Sequence, residues 1–213
     1  MVLRGDDLPY VSRGGLKLEK AIKSFALDLS DKVILDVGAS TGGFTDCALQ
    51  HGANRVYAVD VGYGQLAWKL RQDPRVMVLE RTNIRQLDKS QLMPLPDLTC
   101  IDVSFISLEK VVPPVVDLLI GDKELVALIK PQFEAGRGKV GKGGIVRDPS
   151  LHQEVLSRIV AAVSQYLTCV GLDYSPITGT KGNIEYLLYA RQTSVGSLPN
   201  VAQVVAAAHA ELA

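Results

Sequence analysis

Residues 33–44, VILDVGASTGGF, constrain the fold more than any other stretch of the chain. The short apolar run Val33, Ile34, Leu35 and Val37, interrupted only by Asp36, suits a strand buried on both faces of a parallel sheet. The small residues after it suit a tight turn into a helix beginning near Phe44. Such a turn presents main-chain N–H groups to a ligand at a helix start. Gly38 supplies backbone freedom, and Gly42 and Gly43 are expected to let the ligand approach without meeting a side chain.

A nicotinamide dinucleotide site would read GxGxxG at this place, with an acid about 20 residues later for a ribose hydroxyl. The chain instead reads Gly38, Ala39, Ser40, Thr41, Gly42, Gly43, so Ser40 replaces the glycine that lets a pyrophosphate come close. The acid is present, because Asp60 ends the next strand, RVYAVD, with Val61 beside it. A nucleoside cofactor without a pyrophosphate fits both observations, which points to S-adenosylmethionine. Its ribose is expected on Asp60, and its amino-acid end near Asp36 and the turn from Gly38, Ala39 and Ser40 through Gly42, Gly43 and Phe44. A glycine-rich turn serving only strand-to-helix packing is the other reading.

Further strands, VMVLE, DLTCID and ELVALIK, alternate with helical patterns, which predicts a doubly wound, mostly parallel α/β sheet. Two last strands, LTCVGLDYS and IEYLLYAR, are expected as an antiparallel hairpin at its edge, with Glu185 at the start of the second. Ligands in such sheets collect at the carboxyl ends of strands, where Gly38, Asp60, Asn83, Asp102 and Lys130 all fall. Asn83 either reads an adenine edge or caps the IRQL turn after it. Helices are expected in SRGGLKLEKAIKSF, with Ser12 as its cap, in GQLAWKLRQD, over residues 150–166 and in the alanine-rich tail. Residues 1–11 read as a linker or truncated beginning with nothing to pack, 12–195 as the folded domain and 196–213 as a helical tail.

The 23 basic residues balance 23 acidic ones, so any affinity for nucleic acid has to come from a local basic patch. The stretch PQFEAGRGKVGKGGIVRDP, with five glycines, reads as a mobile loop. Its Arg137, Lys139, Lys142 and Arg147 either contact backbone phosphates or are simply solvated. Three scattered cysteines fit reduced thiols of a cytoplasmic protein better than disulfides, and with three dispersed histidines no metal centre is expected. No apolar run reaches 18 residues and no secretory signal opens the sequence, so no membrane partner is expected.

The methyl acceptor can be narrowed from the residues after the fourth strand. Transfer to a base amino group commonly uses an Asn/Asp-Pro-Pro-aromatic turn, whereas this chain reads Asp102-Val103-Ser104-Phe105. Transfer to a pyrimidine carbon needs a loop cysteine, and Cys100 is inside a strand. A hydroxyl remains, and a ribose 2′-OH needs its proton removed in the transition state. A lysine serves as that base when burial and a second cation favour its neutral form, with carboxylates fixing its place. Lys130, with Lys17 as the second cation and Asp102 and Glu185 as orienting acids, would supply such a set, although Lys17 by spacing alone also reads as a solvated helix lysine.

SRGGLKL with Lys17, DVGASTGGF, IDVSF with Asp102, IKPQFE with Lys130 and NIEYLL with Glu185 together resemble the FtsJ-type ribose 2′-O-methyltransferases. Within these the chain is similar to the TlyA, or hemolysin A, family over residues 10–191, and SRGGLKL and IKPQFEAGRGKVGKGGIVRD are the most specific parts. The resemblance implies a Rossmann-like class I methyltransferase fold with seven strands and a Lys-Asp-Lys-Glu tetrad. It implies S-adenosylmethionine as cofactor, ribosomal RNA or a ribosomal subunit as partner, and RNA contact by Arg13 and the basic loop. Two departures stand out: GASTGG lacks the proline many relatives carry before the paired glycines, and family members usually begin with an S4-like RNA-binding domain where this chain starts. An excised catalytic domain and a short natural form are both open. A small-molecule O-methyltransferase is the enzymatic alternative, and the family's other name suggests a membrane-lytic protein, for which no amphipathic hairpin or apolar helix is visible.

Overall fold

The structure, a computed structural model, describes residues 8–136, 138–196 and 200–212. Five parallel strands, β1 (Val33–Val37), β2 (Arg55–Val59), β3 (Val76–Leu79), β4 (Leu98–Ile101) and β5 (Glu124–Ile129), are followed by β6 (Thr168–Tyr174) and β7 (Tyr186–Arg191). The sheet order is β3-β2-β1-β4-β5-β7-β6, with β7 antiparallel to both of its neighbours, as the expected hairpin requires.

Alternation along each strand builds two apolar layers. In β1, Val33, Leu35 and Val37 face one side with Val111, Val115, Leu156 and Ile159, while Ile34 faces the other with Leu18, Phe44 and Cys47. The first layer is covered by α4 (Leu108–Leu118), α6 (Pro149–Val163) and α7 (Val201–Leu212), the second by α1 (Gly14–Phe25) and α2 (Gly43–Gln50). Both faces are therefore buried, which is why the strands read as near-continuous apolar runs.

Register places the functional candidates at one end. Val37 pairs with Val59 and with Ile101, so the next residues of β1, β2 and β4 emerge level with one another. Ile129 pairs with Tyr186, so Lys130, leaving β5, lies at the same end as Glu185, entering β7.

Four expectations need correction. The segment before α1 does pack: Tyr10 is buried in the α1–α2 layer, and the Val11 N–H donates to Asp46 Oδ2 at 2.8 Å. Ser12 makes no side-chain cap on α1; the N-cap residue is Arg13, and Ser12 Oγ instead lies against Gly43. GQLAWKLRQD forms only the single turn α3 (Trp68–Arg71), because its first half is an irregular loop. The glycine-rich stretch is anchored at its far end, where Val146 is buried, its N–H donates to Asn183 Oδ1 at 3.0 Å and Asn183 Nδ2 donates to the Gly144 carbonyl at 2.9 Å.

Gly15 shows why SRGGLKL needs the second of its two glycines. A Cβ there would lie 2.3 Å from the Tyr10 ring, so the ring occupies the space a side chain would need. Gly15→Ala is expected to displace Tyr10 and cost about 1–3 kcal/mol as overpacking does, read as a lower urea midpoint. An unchanged midpoint would show that Tyr10 does not depend on that contact.

Candidate active site

Two adjoining cavities open at the carboxyl ends of β1, β2 and β4, and both are walled by Gly38, Ser40 and Asp102. The first, of about 380 Å³, contains Lys17, Asp102, Lys130 and Glu185 in its wall, together with Arg13 and Phe44. The second, of about 500 Å³, is lined by Asp60, Val61, Asn83 and the segment from Val103 to Ile106.

The four residues expected to act together do meet around one cavity, as two ion pairs. Lys17 Nζ lies 2.5 Å from Glu185 Oε2, with both groups buried, and Lys130 Nζ lies 2.6 Å from Asp102 Oδ1. Lys17 reaches the cavity because it is on the inward face of α1, so it is not the solvated lysine that spacing alone allowed. The Lys130–Asp102 contact lacks hydrogen-bond directionality, and Asp102 Oδ1 has no directed donor among the described residues. Lys130 Nζ does donate to Ser104 Oγ, at 3.0 Å, a partner that the sequence pattern did not single out.

The turn after β1 behaves differently from its expectation. Asp60 accepts the Ser40 N–H at 2.8 Å on Oδ2 and the Gly62 N–H at 2.7 Å on Oδ1, so the Ser40 amide faces a carboxylate instead of an open ligand position. Gly42 and Gly43 make room for protein: a Cβ on Gly42 would meet Leu70 at 2.3 Å, and one on Gly43 would meet Ser12 Oγ at 2.3 Å. Gly43 still borders the first cavity with Ala39, whereas Gly42 borders neither. Asn83 caps the turn after it, its Oδ1 accepting the Arg85 N–H at 3.1 Å, and it also borders the second cavity. Val61, 73% exposed, sits at that cavity's mouth.

Asp36 is 1% exposed, and its Oδ2 accepts the Thr45 hydroxyl at 2.6 Å while Oδ1 has no partner among the described residues. Burial pushes its carboxyl up to about 7; the Thr45 hydrogen bond opposes this, and the nearby charges of Asp102 and Asp60 add to it. Of the basic loop, Lys139, Lys142 and Arg147 are exposed around a separate small cavity, Lys139 pairing with Glu154 at 2.5 Å. Arg13 is the one RNA-contact candidate placed in the wall of the first cavity among the described residues, and Arg137 lies outside them. No group of three His, Cys, Asp or Glu able to hold a metal occurs among the described residues.

Residues 10–192 match the family model described as FtsJ-like methyltransferase. The chain belongs to the FtsJ-like methyltransferases. YqxC of Bacillus subtilis (strain 168), named as a candidate rRNA methyltransferase, is 52% identical over 100% of this chain and 78% of its own. The protein of Mycobacterium tuberculosis (strain ATCC 25618 / H37Rv) named 16S/23S rRNA (cytidine-2'-O)-methyltransferase TlyA is 48% identical over 89% of this chain and 71% of its own. A solved structure from Streptococcus thermophilus, described there as a candidate hemolysin, superposes with a TM-score of 0.93 at 50% identity over 98% of this chain and 78% of the other. The FtsJ-like match thus spans every element that carries the four charged residues.

Asp36 gives the FtsJ-like chain a measurable pH signature. Its folded-state pKa of about 7 stands above the ordinary 3.8, so between those values the folded chain holds a proton that the unfolded chain has released. Stability contributed by this group is complete below about pH 4 and is lost as pH rises through 7. At 1.36 kcal/mol per pH unit the window sets an upper bound of about 4 kcal/mol. Asp36→Asn, which still accepts from Thr45, is expected to flatten the fall in urea-derived stability between pH 5 and 8; an unchanged slope would place its origin elsewhere.

Proposed function

We propose that the chain transfers a methyl group from S-adenosylmethionine to a ribose 2′-hydroxyl of ribosomal RNA, with Lys130 as the base. The observation that carries this reading is the convergence of Lys17–Glu185 and Lys130–Asp102 on one cavity beside a second cavity edged by Asp60. Membership of the FtsJ-like methyltransferases supplies the reaction class, and the name of the M. tuberculosis relative supplies a ribosomal ribose as acceptor.

The residues present suit this cofactor. Asp60 and Asp102 line the cavities beside the turn after β1, whereas Asp36 is buried and lines neither. An anionic pyrophosphate would be repelled there, whereas a ligand carrying an ammonium and a sulfonium is attracted. Asp60 and Val61 would hold the ribose, and Asn83 the adenine. When bound, S-adenosylmethionine supplies an electrophilic methyl group and leaves as S-adenosylhomocysteine.

The chain's own groups do the rest. Lys130 Nζ takes the acceptor hydroxyl's proton, and Asp102 holds the ammonium that results. Lys17, fixed by Glu185, keeps positive charge where the acceptor oxygen becomes negative. Arg13 at the cavity wall, with Lys139, Lys142, Arg147 and Arg137 of the basic loop, would take the RNA backbone. On this reading residues 12–195 form the catalytic domain and 196–213 its helical tail.

Lys130→Ala tests the base. Single-turnover methyl transfer at saturating RNA is expected to fall by about 10² to 10⁴, the usual contribution of a general base, with cofactor affinity by calorimetry within a few fold of wild type. Near wild-type turnover would remove Lys130 from that role.

A further inference from the structure

The end of the Lys130 side chain is held unequally by its neighbours. Asp102 Oδ1 is nearest at 2.6 Å, but as a charge contact without a directed hydrogen bond. The Phe133 ring of α5 (Pro131–Glu134) has its centroid 5.9 Å away and contributes attraction to the cation with little directionality. Ser104 Oγ, at 3.0 Å, is the one acceptor among the described residues that receives a well-directed N–H from Lys130.

Ser104 is set in place by the backbone on both sides. The Asp102 N–H donates to the Val37 carbonyl at 2.9 Å, which fixes the exit from β4. Phe105 then takes a left-handed conformation, φ 64°, uncommon for a residue with a bulky side chain, and its ring packs 4.7 Å from Phe133. Farther along, Glu134 accepts the Ser107 hydroxyl at 2.7 Å and the Leu108 N–H at 2.8 Å, tying the segment after β4 to the one after β5.

We propose that Ser104 is a positioning residue for methyl transfer, fixing the rotation of the Lys130 amine so that its lone pair faces the acceptor hydroxyl. This rests on the reading of Lys130 as the base. A neutral amine has two N–H bonds and one lone pair at tetrahedral angles. With one N–H committed to Ser104 and the other drawn to the Asp102 carboxylate, the lone pair takes the remaining direction, into the cavity shared with Lys17 and Glu185. The acceptor O–H proton then passes to that lone pair and regenerates the ammonium. Without Ser104, Asp102 still attracts the nitrogen but no longer sets its rotation, so a smaller fraction of bound complexes is aligned for transfer.

Three variants test this. Ser104→Ala is expected to lower kcat about tenfold to hundredfold, with the RNA KM and the cofactor affinity within about twofold. Ser104→Thr, which keeps the hydroxyl, is expected to recover activity to within about threefold of wild type. In a Lys130→Ala background, Ser104→Ala should have no further effect. A wild-type kcat for Ser104→Ala, or a loss that threonine does not restore, would overturn the inference while an inactive Lys130→Ala leaves the base in place. An active Lys130→Ala would overturn both.

Discussion

The turn after β1 passes so close to the end of β4 that a Cβ on Gly38 would lie 2.4 Å from the Asp102 carbonyl oxygen. Gly38 has φ 87°, and its N–H donates to the Val59 carbonyl at 2.8 Å, so the turn is pinned to β2 as well as β4. This close crossing fixes where Asp60 and Asp102 stand relative to the turn, and both cavities share its wall. A side chain at position 38 would meet backbone, which cannot move aside without disturbing the strand register that aligns all three ends.

The two ion pairs bring the remaining groups to that wall from opposite directions. Lys17–Glu185 joins α1 to the start of β7, and Lys130–Asp102 joins the ends of β5 and β4. A buried pair such as Lys17–Glu185 contributes little to stability, because desolvating both charges offsets most of their attraction, whereas removing one partner costs about 3–5 kcal/mol. Their convergence on a solvent-connected cavity is better explained by chemistry than by folding. The basic loop is tied into the same framework: buried His152 donates Nε2–H to the Val146 carbonyl at 3.1 Å and accepts the Tyr186 hydroxyl on Nδ1 at 2.7 Å. The far end of the loop is thereby fixed to the strand that follows Glu185.

The alternation of strands with helices and the edge hairpin were legible because a strand buried on both faces reads as a near-continuous apolar run. The strand order was not, since it depends on pairing between segments distant in sequence. Asp102 and Lys130 were legible at strand ends and Glu185 at a strand start, while Lys17, which spacing alone left as a solvated helix lysine, gained its place through family resemblance; the pairing of the four depends on register between β5 and β7 and on the inward face of α1. Gly42 and Gly43 were legible as special positions and misjudged in purpose, since they admit Leu70 and Ser12, and Gly15 likewise admits Tyr10, a partner that no local pattern reveals. Tyr10 was read as part of a linker for the same reason, since one aromatic residue in a polar segment has no periodicity to betray its burial. Ser104 escaped notice because a serine in a strand-end loop is ordinary until Lys130 is seen beside it.

On the proposed function, the paired lysines and acids direct a methyl group to ribose oxygen. Mass spectrometric mapping of ribosomal RNA incubated with the protein and isotopically labelled S-adenosylmethionine tests it most directly. Label is expected on a 2′-O-methyl nucleoside, absent when Glu185→Gln protein replaces wild type. Label on a base nitrogen or carbon, or equal ribose labelling by the variant, would contradict it.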